Sequence, residues 1–201
     1  MVYFLLVAEQ LAAELPDAMV ERLLLPVCRP YLEYADPAFQ DSFESAHSLV
    51  LALYTAGKNC TLSLTPFYVN LLLQSYPQLL TATQLETALC TVVASLSERS
   101  DSLTWWTVEQ VQDAINAAVL ARLPASSEEA GSSRAEGDAS GSGVAGGDGP
   151  GGDAPVPSMP LREVLALSMA ALISRVNLVH FRSLLVKVKA LIFAQPEGSP
   201  A

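Results

Sequence analysis

The stretch that decides the fold is DPAFQDSFESAHSLVLALYTAG, residues 36–57. Asp36 suits a helix N-cap, Pro37 the first helical position, and Gly57 the left-handed residue that ends a helix. Between these ends, apolar residues recur at spacings of three and four, which is typical of a helix with one broad apolar stripe. The stripe comprises Phe39, Phe43, Ala46, Val50, Leu53 and Tyr54. Because neighbouring helices must cover it, we predict that this is a central packing helix.

Two helices are predicted before this central helix. The first covers residues 2–14 and is closed by Leu15-Pro16. The second begins at Asp17 as its cap, and Pro26 and Pro30 are expected to kink or break it, since proline lacks a backbone donor. The two helices, joined by a short turn, predict a helix hairpin.

Three further helices are predicted between Lys58 and Leu123. Thr65-Pro66 opens the first, residues 81–84 have the spacing of a capping box for the second, and residues 104–123 form the third. The third carries one apolar face, made of Trp105, Val108, Val111, Ile115, Val119 and Leu123. We expect Trp106 near the edge of that face, either packed under the next loop or exposed at a contact surface.

The composition changes completely over residues 124–160, where Gly, Ser, Ala and acidic residues dominate. Such a segment buries too little apolar surface to offset its chain entropy. We therefore predict a disordered acidic linker between a helical repeat block, residues 1–123, and a helical hairpin, residues 161–195.

The hairpin is expected to consist of one helix starting at Pro160 and another capped by Asn177. Two helices have too little core to stand alone, so we expect them to pack on the first block. The sequence LLLPV at residues 23–27 is echoed by LLVKV at residues 184–188, in the second helix of each hairpin. Helix pairs in succession predict an all-α fold of stacked antiparallel pairs, a HEAT/armadillo-like α-solenoid with a disordered insertion.

Charge is distributed unevenly along the 201 residues, whose formal net charge is −10. This balance argues against a nucleic-acid-binding protein, since neutralising phosphates needs clustered Lys and Arg. Residues 161–201 alone are net positive, at +3. Their helices carry a modest basic face, which predicts either plain solvation or contact with an acidic partner, an anionic membrane leaflet or the acidic linker. The face consists of Arg175, Arg182, Lys187 and Lys189.

No catalytic, cofactor-binding or metal-binding residue is predicted. Three cysteines, Cys28, Cys60 and Cys90, are too widely spaced for a zinc site or a disulfide framework, and we expect buried free thiols. Glu44 and His47 have the Glu-x-x-His spacing of di-iron bundles, but the chain has no second such pair. A metalloenzyme built on this pair remains an alternative to a satisfied histidine at a polar helix edge.

Several segments resemble the carboxyl-terminal helical region of the fungal peroxin-8 family. They cover all of the chain except the linker, and the most specific is the Phe-Glu-Ser-Ala-His-Ser run at residues 43–48. The others are residues 15–17, 24–26 and 30–32, the remainder of 43–52, residues 66–72, and the tail from Leu167 to Ile192.

This resemblance implies a non-enzymatic peroxisome biogenesis factor. Members of the family attach peripherally to the matrix side of the peroxisomal membrane, join the receptor-docking complex to the RING-finger complex, and aid the release of cargo from its receptor. We therefore expect protein partners and no small-molecule substrate. The alternative is a generic HEAT-like adaptor for protein–protein contacts in the cytosol or nucleus.

Overall fold

The computed structural model describes residues 1–33, 39–120 and 159–193, and every regular element in these ranges is helical. The first half holds α1 (Val2–Gln10), α2 (Asp17–Met19, Val20–Leu24 and Leu25–Glu33 in direct succession), α3 (Gln40–Thr55) and α4 (Cys60–Ser75). The second half holds α5 (Ala82–Ser97), α6 (Asp101–Leu120), α7 (Leu161–Leu172) and α8 (Leu178–Phe193).

These helices stack in two rows. In one row α1 packs against α3, α3 against α5, and α5 against α7; in the other row α4 packs against α6. The Arg29 guanidinium lies 4.8 Å from the centre of the Phe67 ring and links α2 to α4, and Trp105 links α6 to α8 through His180. This layered packing of successive helices confirms the predicted all-α solenoid.

Helix α3 is central, as predicted. It packs against α1, α2 and α5, and its apolar stripe is buried, except that Phe39 precedes the helix and is 44% exposed. Leu49, which the predicted stripe omitted, is fully buried instead. Cover from several sides explains the difference, because a helix in the middle of a stack buries more than one stripe.

The end of α3 has the predicted left-handed glycine. Gly57 has φ of +65°. The Lys58 amide donates to the Leu53 carbonyl at 3.1 Å, and the Gly57 amide to the Tyr54 carbonyl at 3.0 Å. This is the Schellman arrangement, which satisfies carbonyls at the end of the helix. The predicted cap Asp36 and first residue Pro37 lie outside the described residues.

Helix α1 ends at Gln10, before the predicted residue 14, and α6 begins at Asp101, before the predicted residue 104. Three other expectations about helix boundaries were wrong. Pro26 and Pro30 do not break α2, which continues through both after a π-helical turn at Val20–Leu24. Buried Cys28 and Leu32 anchor this part of α2 to the core, so tertiary packing outweighs the proline penalty of about 3 kcal/mol. Helix α4 begins at Cys60, before Pro66, because Cys60 and Thr61 are both buried.

The third correction concerns Asp17, which caps no helix through its side chain. Its carboxylate instead accepts a hydrogen bond from the Asn59 side-chain amide at 2.7 Å. The predicted capping box at the start of α5 is confirmed: the Thr81 hydroxyl accepts from the Gln84 amide at 3.3 Å, and the Gln84 side chain accepts from the Thr81 amide at 2.8 Å.

The last two helices lie against the end of the stack. Helix α7 packs on α5 and α6, and Val164, Leu165, Met169 and Leu172 are buried there. The Ser97 hydroxyl donates to the Arg175 carbonyl at 3.2 Å, and the Tyr76 hydroxyl donates to the Met159 carbonyl. Most of the predicted linker, residues 124–160, lies outside the described residues.

Candidate protein-binding surfaces

The Glu44–His47 pair does not form a shared site. Glu44 is exposed and accepts a hydrogen bond from the Gln40 side chain at 3.1 Å. His47 is only 6% exposed, stacks on Phe43, and places Nδ1 2.7 Å from the Tyr68 hydroxyl. Within the described ranges, no group of three or more His, Cys, Asp or Glu residues is arranged to hold a metal ion. His47 is a satisfied histidine, as preferred from the sequence, but it lies in the core and not at a polar helix edge.

Burial also controls the titration of the groups that could act as nucleophiles. It lowers the pKa of His47 to about 4, so the imidazole is neutral at physiological pH. It raises the pKa of the Cys28 thiol to about 12, and it raises the pKa values of Cys60 and Cys90 as well. All three cysteines are free thiols, as expected, although Cys90 is only half-buried. Raised thiol pKa values disfavour the reactive thiolate.

A polar cluster joins the loops at one end of the stack. Arg99 donates to the Thr61 hydroxyl at 2.9 Å and to the Asn59 side-chain oxygen at 3.1 Å. Tyr54 shares a hydrogen bond of 2.9 Å with Thr65. The sequence did not reveal this cluster, because its members are far apart along the chain. Its polar groups are satisfied by one another, which fits a structural role.

His180, which has no carboxylate near it in sequence, is brought to one by the fold. Its Nε2 lies 3.2 Å from an Asp101 carboxylate oxygen, without the alignment of a hydrogen bond. Its ring stacks on Trp105, with centres 5.8 Å apart. On the same indole, the Lys187 ammonium lies 5.1 Å from the ring centre. Trp105 therefore joins α8 to α6, while Trp106 is half-buried against the core.

The first exposed apolar surface is on α1. Leu5 and Ala8 of this helix are buried, yet four large apolar side chains on its other side, the last of them at the residue that follows Gln10, are between 46% and 86% exposed. We call these the first-helix face; they are Tyr3, Phe4, Val7 and Leu11. Uncovered apolar side chains clustered on one helix mark a surface for association, unlike single apolar residues scattered over a protein.

The second exposed surface is on α8. Leu184 and Val188 face the core, while Val179, Val186 and Phe193 are between 62% and 82% exposed. The predicted basic face is divided by the fold: Arg175, Arg182 and Lys189 are exposed, whereas Lys187 is half-buried over Trp105. No helix in the described ranges combines the length and apolar character needed to cross a membrane.

A family model matches part of the chain. It is the PEX8 central TPR-like domain, and the match covers residues 1–55, which contain α1, α2 and α3. No curated protein and no solved structure matches the chain significantly. The matched model describes a central domain, whereas the sequence resemblance pointed to the carboxyl-terminal region; both are helical, and TPR and HEAT repeats are alike built from stacked helix pairs. The match over residues 1–55 confirms the resemblance to the peroxin-8 family and supports a role in peroxisome import.

Proposed function

We propose that this protein is a non-enzymatic peroxisome biogenesis factor that acts as a peripheral scaffold on the matrix side of the peroxisomal membrane. It links the receptor-docking complex to the RING-finger complex and aids cargo release. The family match supports the peroxisomal role at the coarser level of a peroxin that contacts other proteins.

The observation that carries the scaffold proposal is the position of the first-helix face. It lies inside the family-matched residues 1–55, on a helix whose other side packs into the core through Leu5 and Ala8. The rigid stack holds its exposed apolar side chains in a fixed arrangement. A pre-organised apolar surface binds a partner without the entropic cost of ordering a loop.

The experiment uses a tagged full-length protein in cells that lack the endogenous copy. We expect it to localise to peroxisomes and to restore matrix protein import. Localisation elsewhere, together with normal import in the deletion strain, would refute the proposal. A cytosolic or nuclear signal would instead support the alternative, a generic helical adaptor.

A matched pair of variants tests the first-helix face itself. Val7→Glu places a charge in the middle of the face, and Gln10→Glu places the same charge on an exposed polar position of the same helix. We expect Val7→Glu to abolish import and recovery of the docking and RING-finger proteins, while Gln10→Glu retains both. If both variants give the same import and the same recovery of partner proteins, the first-helix face does not bind these partners.

A further inference from the structure

The outward side of α8 has a regular pattern of its own. Its residues follow one another at spacings of three and four, so they form a single stripe along the helix. The stripe alternates apolar and basic residues: Val179, Arg182, Val186, Lys189 and Phe193. All five side chains are exposed, and we call them the last-helix stripe.

This pattern differs from an ordinary solvated helix face. Large apolar residues are 62–82% exposed at seven-residue intervals, which is the repeat of a coiled-coil seam. Helix α8 contains no acidic residue, although the chain as a whole has 21. Among the described residues, neither Arg182 nor Lys189 has a carboxylate within ion-pair distance. Within the described residues, no helix covers the apolar members of the stripe, and no carboxylate pairs with its basic members.

We propose that the last-helix stripe docks an amphipathic helix of another protein, in which apolar residues alternate with acidic ones at the same three-and-four spacing. The proposal rests on the scaffold function proposed above and gives the chemistry of one partner. Paired at this spacing, the partner's apolar residues cover Val179, Val186 and Phe193. Its carboxylates meet Arg182 and Lys189, which gives the contact charge complementarity.

Two other occupants fit the stripe less well. A second copy of the chain would set Arg182 and Lys189 against like charges. The chain's own segment 124–158 is acidic, but it is rich in glycine and has no apolar residues at helical spacing. A membrane leaflet is the remaining occupant: Arg182 and Lys189 lie along one edge of the apolar residues, so vesicle binding is measured separately below.

The experiment measures binding of two designed helical peptides to the full-length chain by fluorescence anisotropy. Both carry Leu at every seventh position, and the intervening stripe positions hold Glu in one peptide and Lys in the other. We expect the Glu peptide to bind at least tenfold more tightly. Equal affinity of the two peptides would overturn the proposal, as would binding to phosphatidylserine vesicles without binding to the Glu peptide.

Charge reversal on the stripe supplies the sharper comparison. The double variant R182E/K189E should reverse the preference and bind the Lys peptide more tightly. The matched control R22E/R175E makes the same change in net charge at exposed positions off the stripe and should keep the preference for Glu. Identical effects of the two double variants would show non-specific electrostatics and overturn the proposal.

Two further arms separate the remaining outcomes. If the Glu peptide binds only after residues 124–158 are deleted, the linker occupies the stripe and the proposal fails. In cells, R182E/K189E is tested for matrix import alongside R22E/R175E. Suppose that deletion of the protein abolishes import and that R182E/K189E imports normally. This result would leave the proposed scaffold function intact and refute docking of a partner on the last-helix stripe.

Discussion

At the scale of single residues, four aromatic rings form a row in the core. The rings of Phe43, His47, Tyr68 and Tyr54 follow one another with centres 6.0, 5.7 and 5.7 Å apart. Tyr68 is fully buried, and burial raises its pKa well above the usual value, so its hydroxyl remains protonated and donates to His47 Nδ1. The neutral imidazole then carries its proton on Nε2. One hydrogen bond fixes the histidine tautomer and links α3 to α4.

Removing that hydroxyl should destabilise the fold. In Tyr68→Phe, His47 Nδ1 is left buried without its donor, and an unsatisfied buried acceptor costs about 1–3 kcal/mol. We expect a loss of that size in the free energy of unfolding, measured by urea denaturation. The control Tyr3→Phe removes a hydroxyl from a side chain that is 86% exposed and should change little. A Tyr68→Phe value indistinguishable from that control would contradict this view of the pair.

The lowered pKa of His47 predicts the direction of acid destabilisation. The unfolded chain binds a proton at His47 below about pH 6.5, whereas the folded chain binds one only below about pH 4. The unfolded state holds more protons between these values, so the free energy of unfolding falls as the pH is lowered through this window. The full effect is about 3 kcal/mol.

His47→Gln isolates this contribution from those of the other titrating groups. The variant is expected to be less stable at pH 7, but its free energy of unfolding should fall less steeply between pH 6.5 and pH 4. Urea unfolding at half-unit intervals of pH measures both slopes. Parallel curves for the two proteins would show that His47 is protonated as readily in the folded state as in the unfolded chain.

At the scale of the helices, the turn after α3 depends on one backbone conformation. Gly57 has φ of +65°, and a Cβ atom built there meets nothing within 4 Å. Gly57→Ala should therefore cost only the left-handed backbone strain, about 1–2 kcal/mol in the free energy of unfolding. Gly57→Asn should cost less, because asparagine tolerates this region better. Thermal unfolding ranks the three proteins, and an alanine variant as stable as the parent would contradict the argument.

Local signals in the sequence were enough to place most helices, but not to fix all their boundaries. The Thr81 capping box and Gly57 were readable because each acts within a few residues. The start of α4 at Cys60 and the continuation of α2 beyond Pro26 were missed, because both depend on burial against distant helices. The Tyr68–His47 hydrogen bond joins residues 21 apart in sequence, and no local sequence pattern predicts it.

At the scale of the whole molecule, loop contacts tie successive helix pairs together. The Lys58 ammonium donates to the carbonyls of Ala13 at 2.9 Å and Leu15 at 2.6 Å. Asn59 contacts Asp17 on one side and Arg99 on the other, so three consecutive pairs are joined at one end. Hydrogen bonds between loops add to the packing between rows, which makes the stack a stiff support for its exposed surfaces.

The candidate surfaces were the least predictable part of the molecule. A stripe of apolar residues looks the same in sequence whether another helix of the chain covers it or leaves it open. The sequence predicted a helix over residues 2–14 but gave no sign that Tyr3 and Val7 would be exposed. Their exposure became visible once the stack was complete. The basic character of α8 was predicted from the sequence, because the charge of a side chain does not depend on how the helices pack.

Docking of α8 on α6 is expected to depend on Trp105. The indole lies against both the His180 ring and the Lys187 ammonium, and α8 otherwise buries Leu184 and Val188. Trp105→Ala removes an aromatic stack and a cation–π contact, each about 0.5–1.5 kcal/mol, together with apolar cover. The loss falls at one end of the stack, so we expect local opening of α8 before the other helices unfold.

Amide hydrogen exchange followed by mass spectrometry tests this expectation. In Trp105→Ala, peptides from residues 178–193 should exchange at least tenfold faster, while peptides from α3 keep the rate of the parent protein. Val179→Ala, a truncation of a side chain that is 71% exposed on the same helix, should leave both rates unchanged. Faster exchange throughout the chain in Trp105→Ala would mean that the stack unfolds as one cooperative unit and that Trp105 supports all of it.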